Sequence, residues 1–524
     1  MKLRTIVKIA ITSSVVLLCS GFALYSFFRL SAAEGQKDFN LYELVPSTTS
    51  AVFVTDDVLE FVAEVDELTC SKNQQYLYVS KLFSYLKQSL YALSEDTPHG
   101  LSRQMNQMLI SFHEPDNERN QVLYCRLGNG DKELVNRFVR KYISSLYPPK
   151  TFIYKGEEII IYPMADGDFL ACYLTSDFMA LGFQKKLIEN VIDAYKSGKS
   201  LADDSTFTGI RAPKKSAAAA TIYTRMQGMM GWTEFDMKMK DDFIYFSGIT
   251  HDADTCFAFI NQLRQQQSVK GFPGEVLPST AFYFSRQGIT DWVSLLSYGN
   301  AQGQSVPART SEVQNRDKEF SRYLMENAGQ DLVACLFQRE DTLQGAAAVL
   351  SLSVADVTEA ERMLRALVNA ASADEGRRNP RITFCYTVNK AYLIYRLPQT
   401  TLFEQLTSFA EPTLDVYAAF YGGRLLLAPD ADALAHYIRQ LDKGEVLNGA
   451  MAYQTGMDHL SDSYHFMLMA DFDHIFQQSE NHVRFVPDFF LRNADFFRHF
   501  TLFVQFACAD GVVYPNIVLK YKSE

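Results

Sequence analysis

Histidine and aspartate residues gather near the C-terminus, where they could form a metal site. The cluster comprises His459, His465, His474, His482, His499, Asp458, Asp462, Asp471 and Asp473. Within YHFMLMADFDHIF, a continuous strand would place His465, Asp471 and Asp473 on one face. Imidazole and carboxylate groups bind metal ions where they converge, so His465, Asp471, Asp473 and His474 are the candidate ligands. A solvated strand or loop face would show the same residues, and the sequence favours this structural interpretation.

The common catalytic motifs are missing from the sequence. It has no G-x-S-x-G nucleophile elbow, and His113-Glu114 lacks the second histidine of H-E-x-x-H. The SGKS stretch at residues 197–200 has Asp193 where a phosphate loop needs its first glycine, which indicates a helix end. The sequence therefore assigns no catalytic residue and no cofactor.

The first thirty residues predict a membrane anchor. Residues 9–28 contain no charge, and 20 apolar residues can cross roughly 30 Å of hydrocarbon as a helix. Lys2, Arg4 and Lys8 precede this run, which predicts a cytoplasmic N-terminus and periplasmic or otherwise extracytoplasmic C-terminal domains. Cleavage as a signal peptide after residues 31–33 is the alternative, but the run is longer than a usual signal core.

The charge balance of the exported part limits its partners. It holds 46 basic residues against 61 acidic ones, a formal charge of −15. Nucleic acid is disfavoured because such binding needs clustered cations, and adhesion of the exported part to an anionic membrane is disfavoured for the same reason. The expected partners are the membrane, through the N-terminal helix, and an envelope protein or glycan.

The exported part has seven cysteines, which are Cys70, Cys125, Cys172, Cys256, Cys335, Cys385 and Cys508. None belongs to a C-x-x-C pair, and several lie in apolar runs such as VLYCRL and FLACYL. This pattern is typical of buried free thiols and disfavours a dense disulfide framework, although one or two bridges stay open.

The chain contains two similar openings that predict a tandem duplication. LVPSTTSAVFV begins at Leu44, and VLPSTAFYF begins at Val276. Later segments match in the same order: a strand and helix with Asp131 opposite Asp356, a hairpin with Thr151 opposite Thr383, and a helix that ends near Gly198 or Gly444. The two openings begin 232 residues apart. A period of this length indicates a duplicated domain and excludes a solenoid of short repeats.

Hairpins and helices within each copy predict an α+β fold with largely antiparallel sheets and packed helices. We expect a cytoplasmic segment at 1–8, a transmembrane anchor at 9–28, a linker at 29–39 and two duplicated domains at 40–270 and 274–524. The boundary falls in GFPG at residues 271–274.

The anchor, the Leu-Val-Pro opening at residues 44–46 and the long α+β ectodomain resemble a group of uncharacterised, membrane-anchored exported proteins. The resemblance implies no activity and no catalytic residues. Two hypotheses for function follow. The first is a non-catalytic envelope protein that binds or scaffolds another envelope component. The second is an envelope hydrolase, metal-dependent in one version, whose site is assembled only in the fold.

Overall fold

The computed structural model describes most of the chain beyond the predicted anchor. The described residues are 39–73, 105–113, 119–128, 131–138, 147–164, 167–210, 218–225, 231–250, 263–290, 292, 310–339, 345–374, 381–388, 390–397, 416–477, 486 and 488–522. The predicted anchor at 9–28 lies outside these ranges. Within them, no helix has the length and apolar character needed to cross a membrane.

The chain divides into two compact units. The first unit comprises residues 1–47, 89–109 and 121–204, and the second comprises residues 48–88, 110–120 and 205–524. Both units combine helices with antiparallel strands, and a large antiparallel sheet makes this an α+β protein, as predicted.

Strands and helices are interspersed along the whole described part of the chain. In the first half they are β1 Ala51–Thr55, α1 Val58–Glu67, α2 Thr69–Lys72, β2 Met108–Phe112, β3 Gln121–Arg126, α3 Asp131–Phe138, β4 Lys150–Tyr154, β5 Glu157–Pro163, β6 Phe169–Leu174, β7 Phe178–Gly182, α4 Lys185–Ser197, α5 Ser205–Ile210, β8 Ala220–Thr224, β9 Thr233–Lys240 and β10 Phe243–Thr250. In the second half they are β11 Val269–Lys270, β12 Ala281–Gly288, α6 Ser311–Asn327, β13 Ala328–Gln338, β14 Ala346–Val354, α7 Val357–Asp374, β15 Ile382–Tyr386, β16 Ala391–Leu397, β17 Val416–Tyr421, β18 Arg424–Ala428, α8 Ala431–Lys443, α9 Met451–Met457, β19 Ser463–Tyr464, β20 Phe466–Asp471, α10 Phe472–Phe476, α11 Asp488–Arg492, α12 Ala494–Phe497, β21 Phe500–Ala509 and β22 Val512–Tyr521.

The first unit contains five antiparallel strands in the order β4-β5-β6-β7-β3. Helix α4 lies on one face of these strands. Its apolar side chains at Leu187, Ile188, Val191 and Ile192 are buried, and their spacing of one, three and four places them on one side of the helix. Burial of this stripe therefore attaches α4 to the sheet.

The second unit contains a longer antiparallel sheet. Its strand order is β2-β1-β8-β9-β10-β22-β21-β20-β12-β13-β14-β18-β17-β16-β15. Strand β10 is the last strand of the first half of the chain, and β22 is the last strand of the second half. These two strands pair near the middle of the sheet, from Phe243 opposite Lys520 to Thr250 opposite Val513.

Two apolar cores lie on opposite faces of the β12–β18 region of the second unit. On one face, α8 packs through Leu434 and Ile438 against strand residues such as Phe284. On the other face, α7 packs through Leu364 and Leu367, and α6 contributes Phe320 and Leu324 to the same core. The alternation of strand side chains separates the two cores, since successive residues point to opposite faces.

Several predicted local structures are confirmed. The hairpin β4–β5 turns at Lys155 and Gly156, both with positive φ, as a two-residue hairpin turn requires. Helices α4 and α8 end at Gly198 and Gly444, which adopt the left-handed conformation. The C-terminal VVYPNIVLKY pairs beside the preceding strand as β22.

The structure corrects two sequence interpretations. The sequence pattern predicts neither β9 nor β17. Strand β9, TEFDMKMK, is rich in charged residues, and β17, VYAAFY, lies next to a segment with a stronger strand pattern. The match of Thr151 with Thr383 is also wrong by one residue. Tyr154 donates a hydrogen bond to Asp193 of α4, so Tyr154 lies on the α4 face of its strand and Thr151, three residues earlier, lies on the opposite face. Cys385 contacts α8, so Thr383, two residues earlier, lies on the α8 face of its strand. A slip of one residue exchanges the two faces of a strand.

The capping glycine of α8 provides a stability prediction. Gly444 has φ of 75°, so Gly444→Ala forces a side-chain-bearing residue into the left-handed region, at a cost of about 1 kcal/mol. We expect a lower urea midpoint, followed by tryptophan fluorescence, since Trp232 and Trp292 both belong to the second unit. Gly449→Ala is the control, because its Cβ would meet nothing within 4 Å. Equal effects of the two variants would contradict the prediction.

Candidate functional site

Asp471 and His474 lie together where strand β20 passes into helix α10. Asp471 precedes α10 and accepts a hydrogen bond from the amide of Asp473 at 3.1 Å. Its carboxylate also accepts from Lys522 Nζ at 2.7 Å and lies 3.4 Å from His474 Nδ1. The expectation of a continuous strand through Asp473 is therefore wrong, because the helix begins at Phe472.

The electrostatics of this pair follow from its surroundings. Burial opposes ionisation of Asp471, but the hydrogen bonds from His474 and Lys522 outweigh it and lower the pKa of the carboxyl group. The hydrogen bond to Asp471 raises the pKa of His474, against a smaller opposing effect of burial. The carboxylate is thus engaged by a helix N-terminus, an ammonium group and an imidazole.

His465 does not join these residues. Its Nδ1 accepts a hydrogen bond from the backbone amide of Cys508 at 3.1 Å, and burial lowers its pKa. Among the described residues, no three His, Cys, Asp or Glu side chains are arranged to hold a metal ion. A cation at Asp471 would have to compete with the ammonium group of Lys522, so the arrangement fits a structural role better than a metal site.

A buried ionic cluster lies at one end of the α8 face of the second unit. Asp331 on β13 is 7% exposed and lies between two arginines. Its Oδ2 accepts from Arg286 Nε at 2.9 Å, and its Oδ1 accepts from Arg424 Nη1 at 3.1 Å and from Ser353 Oγ at 3.0 Å. Burial of Asp331 favours its neutral form, yet the two guanidinium groups lower its pKa. The cluster is internally satisfied and joins β12, β13, β14 and β18.

A serine–histidine contact in the second unit bears on the hydrolase hypothesis. Ser111 Oγ lies 3.0 Å from His113 Nε2, a distance that suits a nucleophile and its base. Ser111 is completely buried, however, so a substrate carbonyl could not reach its hydroxyl without rearrangement. Burial also lowers the pKa of His113 to about 4. The pair therefore resembles a core hydrogen bond more than a catalytic dyad.

The six described cysteines form no disulfide, and five of them are buried. Burial raises the pKa of their thiols, as at Cys125 and Cys172, both to about 12. A thiol of this kind is a poor nucleophile because little thiolate is present at neutral pH.

The outer strand β15 exposes a pair of aromatic rings. Phe384 is 55% exposed and Tyr386 is 69% exposed, and their rings stack with centroids 6.1 Å apart. Both lie on the face opposite Cys385, which contacts α8. Among the described residues β15 pairs with β16 alone, at one of its two edges. In the first unit, strand β4 exposes Ile153.

The sequence pattern does not single out β15 as a candidate site. The run ITFCY predicts a hairpin strand that packs against the core. In the structure the strand packs in this way on one face only. The residues that indicate this exposed face are Phe384, Tyr386 and Val388. Their spacing of two places large apolar side chains on one face near the C-terminal end of β15.

Comparisons with known proteins found no matching family model, no matching curated protein and no matching solved structure.

The buried ionic cluster yields a test of its structural role. Asp331→Asn leaves Arg286 and Arg424 buried without their counterion, and we expect a loss of about 3–5 kcal/mol in urea unfolding. Combined replacement with Arg286→Met, Asp331→Leu and Arg424→Met should recover most of that loss, since no unpaired charge remains.

The control for this test is an exposed ion pair. Glu319→Gln breaks the contact of Glu319 with Arg316, whose side chains are about half exposed, and should change stability by less than about 1 kcal/mol. If Asp331→Asn has an effect as small as that of Glu319→Gln, the cluster does not stabilise the unit.

The Asp471–His474 pair predicts a pH dependence. The pKa of His474 is raised in the folded state, so its protonated form stabilises the fold at pH below the unfolded pKa. This contribution is lost as pH rises through the folded pKa. We expect His474→Gln to lower the urea midpoint at about pH 5.5 and to have a much smaller effect at about pH 8.5.

An NMR titration provides the matching measurement. In Asp471→Asn the imidazole of His474 should titrate at lower pH than in the parent, because its hydrogen-bonding carboxylate is removed. An unchanged titration, or an equal effect of His474→Gln at both pH values, would show that the contact does not set the pKa.

Proposed function

We propose that the chain is a non-catalytic, membrane-anchored cell-envelope protein, built from two duplicated α+β domains, that binds another envelope component. The observation that carries this proposal is the exposed aromatic pair on β15, a strand that pairs with β16 alone among the described residues. The charge-free run at residues 9–28 supports the anchor, and tethering raises the effective concentration of a binding domain near its partner.

The strand orders support the duplication. In the first half, the strands pair in the order β4-β5-β6-β7-β3, with helix α4 after β7, and the first strand β1 pairs with the later strands in the order β1-β8-β9-β10. In the second half, the strands pair in the order β15-β16-β17-β18-β14, with α8 after β18, and the earlier strand β12 pairs with the last strands in the order β12-β20-β21-β22. The same succession of pairings occurs twice, with the same capping glycine after each matched helix.

The charged groups of the described residues favour binding over catalysis. Asp331 and Asp471 are both engaged by cations within the fold, and Ser111 is inaccessible. A hydrolase needs a nucleophile or activated water that a substrate can approach, together with a positioned acid or base. Among the described residues, none of these three arrangements meets both conditions, so none of them supports the hydrolase alternative.

The partner that fits the edge of β15 is an extended protein segment. Such a segment can add as a strand, with backbone hydrogen bonds for affinity and pockets or rings on one face for specificity. Phe384 and Tyr386 supply that face, since exposed aromatic residues contribute large contact areas at binding surfaces.

Site-specific photo-cross-linking tests this surface in the full chain. A benzophenone amino acid at Phe384 should capture a defined envelope protein, and Tyr386→Asp in the same chain should reduce the yield at least about tenfold, because a charge disrupts the aromatic contact. Met451 on α9 is the control position, because it is 79% exposed but lies on a helix. Equal capture from residues 384 and 451, or no effect of Tyr386→Asp, would contradict the proposal.

A further inference from the structure

An open cleft lies in the second unit at the C-terminal end of helix α8. Its volume is about 450 Å³, and its lining includes Tyr392, Tyr421, Lys390 and Asp442. The turn between β17 and β18 closes one side with Gly422 and Gly423. As glycines, these two residues have no side chain that would fill the opening. Both have positive φ, a conformation that disfavours other residues at these positions. Clefts of this size accommodate small ligands or single units of larger ones.

Two tyrosine rings form the apolar part of the lining. Tyr392 on β16 and Tyr421 at the end of β17 have ring centroids 5.3 Å apart at an interplanar angle of 46°. Tilted rings of this kind offer flat apolar surfaces, while their hydroxyl groups remain available for hydrogen bonds. Tyr392 Oη donates to Asp442 Oδ1 at 3.2 Å. The carboxylate thus fixes the orientation of one ring.

Opposite charges balance within the lining. Asp442 lies near the end of α8, and Lys390 lies in the turn before β16. A ligand with a net charge would gain attraction from one of these groups and repulsion from the other. A neutral ligand with several hydroxyl groups can instead donate to the carboxylate and accept from the ammonium group, as charge-assisted hydrogen bonds.

The matched position of the first unit differs. Asp442 stands two residues before the capping Gly444, and Lys196 stands two residues before the capping Gly198. Lys196 there forms an ion pair with Glu157 at 2.8 Å. The carboxylate at this helix position is therefore particular to the second half, which argues against a requirement of the shared fold.

We propose that this cleft binds a neutral saccharide, with one sugar ring packed against Tyr421 and its hydroxyl groups bonded to Asp442 and Lys390. The apolar C–H face of a sugar ring suits an aromatic surface, and its hydroxyl rim suits the two charged groups. This inference rests on the proposed binding function and adds a ligand class to it, at a place distinct from the β15 edge residues Phe384 and Tyr386.

Titration calorimetry of the full chain with maltotriose, cellotriose and triacetylchitotriose tests the proposal. We expect at least one of these to bind, and Asp442→Asn to weaken that binding about tenfold or more through loss of a charged acceptor. Tyr421→Ala should weaken it similarly through loss of the stacking surface. Asp432→Asn is the control, since it makes the same charge change in the first turn of the same helix.

The outcomes separate cleanly. Asp442→Asn nearly preserves side-chain shape, so it reports on the cleft even if Tyr421→Ala lowers the melting temperature. No binding by all three saccharides, or equal binding by the Asp442 and Asp432 variants, overturns the proposal. Tighter binding of choline than of any saccharide would assign the rings to a cation instead. Cross-linking at residue 384 does not depend on the cleft, so a failure of saccharide binding is distinguishable from failure of the proposed binding function.

Discussion

Backbone hydrogen bonding between strands is the constraint on which the second unit depends. A strand in the middle of a sheet must find partners on both sides, because buried amide and carbonyl groups without partners are costly. The pairing of β10 with β22 meets this need for the last strand of each half and makes the sheet continuous through the unit. It also leaves outer strands such as β15 at a margin, where one edge faces no strand among the described residues. The location of the proposed binding edge is thus a consequence of how the interior strands are satisfied.

The charged groups of the second unit follow a similar logic. Asp331 lies where the α8 face passes from apolar to polar side chains, and two arginines and a serine satisfy it there. Asp471 serves as a helix N-cap and a partner for Lys522. Because cations and hydrogen-bond donors of the fold already contact these two carboxylates, they are poorly placed to act on a substrate. The side chains proposed to bind ligands are different ones, at the cleft beside Tyr421 and along β15.

The two proposed binding surfaces suit ligands of different chemistry. The aromatic edge of β15 suits an extended polypeptide, and the cleft at the end of α8 suits a small polar ligand. The two proposed surfaces lie on the same half of the chain, whereas the matched helix position in the first half carries Lys196 paired with Glu157. If the two halves arose by duplication, they have diverged where side chains face solvent and have kept their buried patterns.

Elements with a local cause can be predicted from the amino-acid sequence alone. The Lys155-Gly156 turn, the glycine caps of α4 and α8, and the buried helical stripe at Leu364, Leu367 and Val368 were all predictable, because turn geometry, helix termination and periodicity depend on neighbouring residues. Which residues meet across the chain depends on the tertiary structure. It separated His465 from Asp471, brought Lys522 to Asp471, and joined Arg286, Asp331 and Arg424 from three strands. It also set the face of Thr151, because a one-residue shift in a strand leaves composition unchanged and reverses every side chain. Contacts of this kind depend on strand order and register, which no local pattern encodes.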